Sequence, residues 1–275
     1  MSVGQRGFFN RPFESFFFDA SYLDFPTKVN EKENLEKAEQ LFKTNEFAAV
    51  IVEPLVQGSS GMKMYAPSFL NQLMKIARKY DVLIIFDEVM TAWGRTGELF
   101  AMNHCNAIPD FVCFSKGITG GTLPMGMTVT TSSVFDAFYD ESKSKALLHG
   151  HSYTGNPIAC AAGVASMKLL QEESTLKSIE RISNRHRDYA DSIRGKYSLD
   201  DLRQLGTILA IEISVGAEGS YFSSIRDEAL KYFLEQGMLL RPLGNIIFFN
   251  PPYCISDEEM TYCYEKITAF LERVK

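Results

Sequence analysis

Residues 82–117, VLIIFDEVMTAWGRTGELFAMNHCNAIPDFVCFSKG, decide how the rest of the chain is read. The stretch holds two short apolar runs. Residues 82–86 are apolar without a break and stop at Asp87-Glu88, and residues 111–114 stop at Ser115-Lys116-Gly117. Runs without alternation suit parallel strands covered on both faces. Sheets of that kind hold ligands beyond the carboxyl ends of their strands. An acid and a lysine side by side at such an edge suit pyridoxal phosphate (PLP). The amine forms an imine with the aldehyde, and the acid keeps the pyridine nitrogen protonated so that the ring accepts electrons. A strand-ending acid and a solvated lysine are also ordinary in any α/β domain, and the pair alone leaves both readings open.

Working outward, FAAVIVEP (47–54) reads as another buried strand, ending at Glu53-Pro54. Gly58 and Gly61 mark a flexible turn, and Pro67 opens a helix to about Tyr80. Further upstream, Leu35, Ala38, Leu41 and Phe42 share one helical face within residues 30–45. Residues 1–29 read as loop and strand fragments punctuated by Gly4, Gly7, Pro12 and Pro26. Downstream, a Gly-rich turn (119–122), a strand (125–131) and a short helix (133–139) precede the loop HGHSYTGNP (149–157). A helix rich in small residues (158–171) and a charged helix (172–194) come next. Strands are expected at 208–213, 237–241 and 246–249, and helices at 223–235 and 257–273. The character changes near residue 165, which predicts a large unit over 1–165 and a smaller α+β unit over 166–275.

The totals exclude several classes. A chain of 275 residues allows one large or two ordinary domains, and 45% hydrophobic with 23% charged residues is globular composition. A net charge of −6 gives no general attraction to nucleic acid or anionic lipid. No apolar run approaches the length of about 20 residues that spans a bilayer. The aromatic start (Phe8, Phe9, Phe13) is interrupted by Arg6, Arg11 and Glu14, unlike a signal peptide. Five scattered cysteines without a CxxC favour reduced thiols in a cytoplasmic setting over disulfides or zinc. His149 and His151 form an H-x-H with no third ligand nearby in sequence, so no metal is expected.

Four motifs carry a resemblance. IVEPLVQGSSGM (51–62), LIIFDEVMTAWGRTG (83–97), FSKGITGGTLPMG (114–126) and HSYTGNPIACAAG (151–163) together resemble the class III, fold type I, PLP-dependent aminotransferases. The whole chain can be laid along the later two-thirds of that family. Within it, EPLVQGSSGMKMY, SKGITGGT and RPLGNIIFFNPPY are most similar to the branch that converts 8-amino-7-oxononanoate to 7,8-diaminononanoate in biotin synthesis. The resemblance implies an α/β fold: an incomplete large domain with a mostly parallel sheet, followed by a C-terminal α+β small domain.

Roles follow residue by residue. Lys116 matches the family's Schiff-base lysine, which also moves the proton between substrate and cofactor. Asp87 matches the acid on the pyridine nitrogen. Glu53 matches the EP glutamate near the cofactor, with a strand-end role holding the neighbouring loop as its alternative. Ser152 stands where the family usually has a threonine for the cofactor phosphate of the opposite subunit, with Thr154 as fallback. That implies a homodimer with a shared active site. Arg241 matches the arginine of the RP-x-G turn, a bidentate partner for the remote carboxylate of the keto acid. Gly150 and Tyr153 are further substrate-side positions. Trp93 and Tyr153 line the substrate channel or simply pack, and Arg95 is read as structural support. Ornithine-, GABA- and acetylornithine-type relatives carry an arginine where Phe248 stands and a glutamate where this chain offers Ser59 and Ser60. Their absence disfavours an α-carboxylate substrate. The amino donor implied by the branch is S-adenosylmethionine, or lysine in some members.

The family's opening segment, with its phosphate loop and ring-stacking aromatic, has no counterpart, so Met1 reads as an internal methionine of a truncated chain. Two alternatives to the biotin-branch reaction stay open on sequence alone. One is another ω-amino-acid:pyruvate-type aminotransferase. The other is an inactive fragment that serves only as a structural or interaction subunit.

Overall fold

The computed structural model describes residues 1–106, 108–215 and 223–274. Contrary to expectation, residues 1–29 contain no strand, only a 3₁₀ turn at Arg11–Phe16. Helix α1 (Glu31–Phe42) buries Leu35, Ala38 and Phe42, the spacing of one helical face. Strand β1 (Ala49–Val52) leads into a short hairpin, β2 (Val56–Gln57) against β3 (Lys63–Met64). Helix α2 (Pro67–Lys79) opens on proline, whose missing N–H costs nothing in the first turn. It buries Phe69, Leu70, Leu73, Met74 and Ala77.

Strands β4 (Leu83–Asp87), β5 (Phe111–Phe114) and β6 (Met127–Thr130) complete the larger sheet. Its order is β1-β4-β5-β6; the first three strands are parallel and β6 is antiparallel to β5. Two helices, α3 (Ser132–Asp136) and α4 (Pro157–Leu170), follow. The Asn156 side chain caps α4 by accepting from the Ile158 and Ala159 N–H groups.

Helix α5 (Glu173–Ile193) leads to the antiparallel sheet β7 (Leu199–Leu205), β8 (Ile208–Ile213) and β9 (Ile246–Phe249). Helices α6 (Ser224–Glu235) and α7 (Asp257–Arg273) pack with it. Strand β7 was not expected, because LDDLRQL lacks an apolar face. Its Arg203 is nonetheless buried, paired with Asp201 (2.7 Å) and Glu212 (2.6 Å), and it donates to the Gly61 and Met62 carbonyls of the β2–β3 hairpin.

The strand expected at 237–241 is a helix ending instead. Gly237 is left-handed (φ 72°), its N–H bonds to the Leu234 carbonyl, and the Met238 N–H bonds to Phe233. This Schellman closure consumes the donors a strand would need. Buried Met238 and Leu240 flanking exposed Leu239 imitate the alternation of a strand.

The buried apolar residues form two clusters. One joins α1 and α2 to the larger sheet and takes in Ile179 of α5, Ile208 and Ala210 of β8 and Ile246 of β9, and the other joins β8 and β9 to α5, α6 and α7. The WGRTG loop (93–97) welds them. Thr207 donates its backbone N–H to the Arg95 carbonyl (2.9 Å), and Arg95 reaches Asn250 Oδ1 (2.8 Å) and the Pro251 carbonyl (2.7 Å).

Candidate active site

Three neighbouring parallel strands deliver one ionisable side chain each at the same edge. Glu53 follows the last residue of β1, Asp87 ends β4, and Lys116 lies two residues beyond β5. Val52 is in register with Phe86, and Asp87 with Cys113. Adjacent strands lie about 4.8 Å apart, so the three emerge side by side at one end of the sheet, with Asp87 between Glu53 and Lys116. Asp87 is half-buried, and its Oδ1 accepts from the Val89 N–H (3.1 Å). Lys116 is exposed, and neither it nor Asp87 forms an ion pair among the described residues.

Glu53 ties the group together electrostatically. Burial raises its pKa first; the Gly58 N–H that donates to its Oε2 (3.0 Å) opposes this, Asp87's charge raises it further and Lys116 lowers it. Its carboxyl therefore feels both partners. The alternation of the strand sends Glu88 the other way, into the interior, where it accepts from the N–H groups of Ala101 (2.7 Å) and Met102 (2.8 Å). Burial raises that carboxyl while the two N–H groups lower it. Glu88 anchors the loop that returns the chain to β5.

The backbone at Lys116 is unusual. Its φ is +48°, in the left-handed region that L-residues avoid at a cost of roughly 1–2 kcal/mol. The Ile118 N–H closes the turn onto the Ser115 carbonyl (3.1 Å), and Ser115 Oγ donates to the Met125 carbonyl (2.7 Å). Helix α4 braces the far side, where Ser166 Oγ donates to the Gly117 carbonyl (3.1 Å).

The other expected site residues lie elsewhere. Gly150, Ser152, Tyr153 and Thr154 occupy an exposed loop before α4. Thr154 Oγ1 accepts from the His151 N–H (3.0 Å), and the Tyr153 N–H donates to His151 Nδ1 (3.1 Å). These bonds are internal to the loop, and none joins it to Lys116 or Asp87 among the described residues. Tyr153 is 75% exposed. Trp93 is buried against Phe100 and Phe114 (centroids 5.5 and 5.1 Å). Arg241 is exposed in the segment before the Leu243–Ile246 turn and makes no ion pair among the described residues. That turn rests on the hairpin, since a Cβ on Gly61 would strike the Ile246 side chain. No group of three His, Cys, Asp or Glu among the described residues is arranged to hold a metal. Sequence reasoning missed Tyr253, whose hydroxyl donates to the Trp93 carbonyl (2.6 Å). Its place in Pro-Pro-Tyr was the only available signal.

An amine and two acids at the ends of parallel strands can carry imine and proton-transfer chemistry. The family profile described as "Aminotransferase class-III" matches residues 1–271. The chain belongs to the class-III aminotransferases. It is 36% identical over 282 residues to the adenosylmethionine-8-amino-7-oxononanoate aminotransferase of Synechococcus elongatus, covering 100% of this chain and 66% of that protein. The protein of the same name from Aquifex aeolicus is 36% identical over 239 residues, with 85% and 53% covered. Among solved structures, the Methanocaldococcus jannaschii adenosylmethionine-8-amino-7-oxononanoate aminotransferase superposes with a TM-score of 0.87 at 29% identity. That match covers 96% of this chain and 62% of the other. The ornithine aminotransferase of Toxoplasma gondii gives 0.78 at 27%, with 94% and 56% covered. This class-III aminotransferase chain thus spans less than two thirds of the length of these relatives. Its α/β sheet, mostly parallel, is the fold they share.

Proposed function

We propose that the protein is a PLP-dependent aminotransferase that aminates 8-amino-7-oxononanoate to 7,8-diaminononanoate in biotin biosynthesis. The observation that carries the chemistry is the emergence of Asp87 and Lys116 from adjacent parallel strands at one sheet edge. The residues fit the cofactor. Among the described residues, Lys116 offers an exposed amine with no competing ion pair, and Asp87 keeps Oδ2 without a hydrogen bond. When bound, PLP supplies the electron sink. Lys116 holds the cofactor and moves the proton at the reacting carbon, and Asp87 keeps a proton on the ring nitrogen. Glu53 lies at the same edge, where it also holds the Gly58 turn.

The substrate reading is supported by the names of the relatives and by Arg241, an exposed guanidinium with no ion pair among the described residues, which suits a carboxylate at the far end of a long apolar chain. Ser152 or Thr154, in their exposed loop, donate to the cofactor phosphate of a second subunit, with Gly150 and Tyr153 on the substrate side. The active form is then a homodimer. S-adenosylmethionine is the amino donor and the location is cytoplasmic. Among the described residues, no helix is long and apolar enough to cross a membrane. The division into a cofactor-side unit (1–165) and a smaller unit (166–275) belongs to the same proposal; the second buried cluster lies wholly in the smaller unit, while the first also takes Leu170, Ile179, Ile208, Ala210 and Ile246 from it, and the boundary falls within α4.

The test is reconstitution with PLP, borohydride reduction and peptide mapping, followed by single-turnover amination of 8-amino-7-oxononanoate. An adduct at Lys116 and turnover of the keto acid are expected. An adduct at any other lysine removes the chemical assignment. Turnover only of short ω-amino acids with pyruvate removes the substrate assignment.

A further inference from the structure

We infer that Trp93 and Tyr253 are positioning residues for Lys116, acting through the Ser115–Lys116 peptide. The inference rests on the reading of Lys116 as the amine that holds the cofactor, and it names what fixes that amine in place.

Trp93 grips the backbone on both sides of Lys116. Before it, the indole Nε1–H donates to the Ser115 carbonyl (3.2 Å), which also accepts the turn-closing Ile118 N–H. After it, the indole lies so close to Gly117 that a Cβ there would be 2.6 Å from Trp93 Cδ1. A grip on the carbonyl of 115 and contact at the Cα of 117 leave Lys116 little choice of backbone angle, and its φ is +48°. Trp93 is itself left-handed, at φ +65°. Two non-glycine residues in that region persist only where their surroundings over-determine them.

The second restraint comes from the other end of the chain. Tyr253 Oη donates to the Trp93 carbonyl (2.6 Å), and the Arg95 guanidinium stacks 4.7 Å from the Tyr253 ring centroid. Packing alone would be met by any aromatic ring. The indole has a single buried donor, and spending it on the carbonyl beside Lys116 is what a phenyl ring cannot reproduce.

The experiment compares the wild type with Trp93→Phe and Tyr253→Phe. In protein without PLP, acylation of Lys116 is measured by mass spectrometry relative to exposed Lys75 as internal standard. In PLP-loaded protein, the pH midpoint of the visible absorbance is measured. Loss of one hydrogen bond predicts a change of about threefold or more in the Lys116:Lys75 ratio for Trp93→Phe, with a smaller change of the same sign for Tyr253→Phe. The absorbance midpoint should move by about half a pH unit in the loaded variants. Tyr253→Phe removes one oxygen atom and keeps the comparison available if Trp93→Phe does not fold. A wild-type labelling ratio and midpoint in the folded variants overturn the inference. Absence of a borohydride-fixed PLP adduct at Lys116 in the wild type would sink the cofactor reading instead, and the labelling ratio would still decide the positioning role.

Discussion

Asp87 and Lys116 leave neighbouring parallel strands at one edge: Asp87 is in register with Cys113, three residues ahead of Lys116. Binding of the cofactor and activation of it are separable in this geometry. Lys116→Ala should lose the borohydride-fixed adduct altogether. Asp87→Asn should retain the adduct, since the lysine is untouched, while transamination falls by about 10²-fold or more because the ring nitrogen loses its acid partner. Peptide mapping and single-turnover rates on the two variants check this. Equal loss of adduct in both would mean that Asp87 supports the fold rather than the ring.

Arg241 gives a prediction that separates the two half-reactions. A charge-assisted pair with the keto acid's carboxylate contributes about 1.5–3 kcal/mol, so Arg241→Ala should raise KM for that substrate by roughly 10- to 150-fold. The donor half-reaction should change little. Because Arg241 is exposed and makes no ion pair among the described residues, the melting temperature should stay near that of the wild type. Matching losses in both half-reactions would contradict a substrate role.

The site-bearing strands were legible because their residues are apolar without a break, although only one face of β4 and β5 is fully buried, Ile84, Phe86, Val112 and Phe114 against half-buried Ile85 and Cys113. Residues 111–114, and 208–213 and 246–249 of the antiparallel sheet, match the observed elements end for end. Two errors have different origins, one local and one long-range. Residues 237–241 alternate like a strand, yet Gly237 turns the backbone left-handed and closes α6. Strand β7 is polar because its buried side chain, Arg203, is satisfied by nearby Asp201 and Glu212 and by hairpin carbonyls more than a hundred residues away. Long-range partners leave no local periodicity. For the same reason Trp93 stood undecided between channel and packing, since its indole partner lies on another strand end.

The weld between the two clusters makes Gly206 hard to replace. A Cβ there would collide with the Gly97 nitrogen and the Thr96 carbonyl carbon, and would lie 2.5 Å from the Arg95 oxygen, all backbone. Gly206→Ala should cost more than about 3 kcal/mol or prevent folding. Gly237→Ala is the control: φ is also positive (72°) but no atom lies within 4 Å of the added carbon. There only the left-handed strain of about 1–2 kcal/mol applies. Urea denaturation of both variants checks the ranking, and a Gly206→Ala protein as stable as the Gly237→Ala protein would refute the weld.

His186 predicts how stability responds to acid. It is fully buried; Nε2 faces the Thr207 carbonyl (3.1 Å), which can only accept, so Nε2 carries the hydrogen. Nδ1 then accepts from the Tyr264 hydroxyl (2.7 Å). Burial brings its pKa down to about 4 from an ordinary 6.5, with the Thr207 carbonyl opposing. Above pH 6.5 both folded and unfolded forms are neutral and the residue contributes nothing to the pH dependence. As pH falls below 6.5 the unfolded chain takes up a proton that the native protein refuses, so stability declines until pH 4, by about 3 kcal/mol in all. Between pH 7 and pH 5 the loss should be about 2 kcal/mol. Glu53 and Glu88, whose carboxyls are raised by burial, act in the opposite sense, so the comparison needs a variant. His186→Gln, which does not titrate, should be less stable at pH 7 yet lose about 2 kcal/mol less on going to pH 5. Urea midpoints at the two pH values measure the difference, and identical declines in both proteins would mean that His186 is not the group that couples folding to acid.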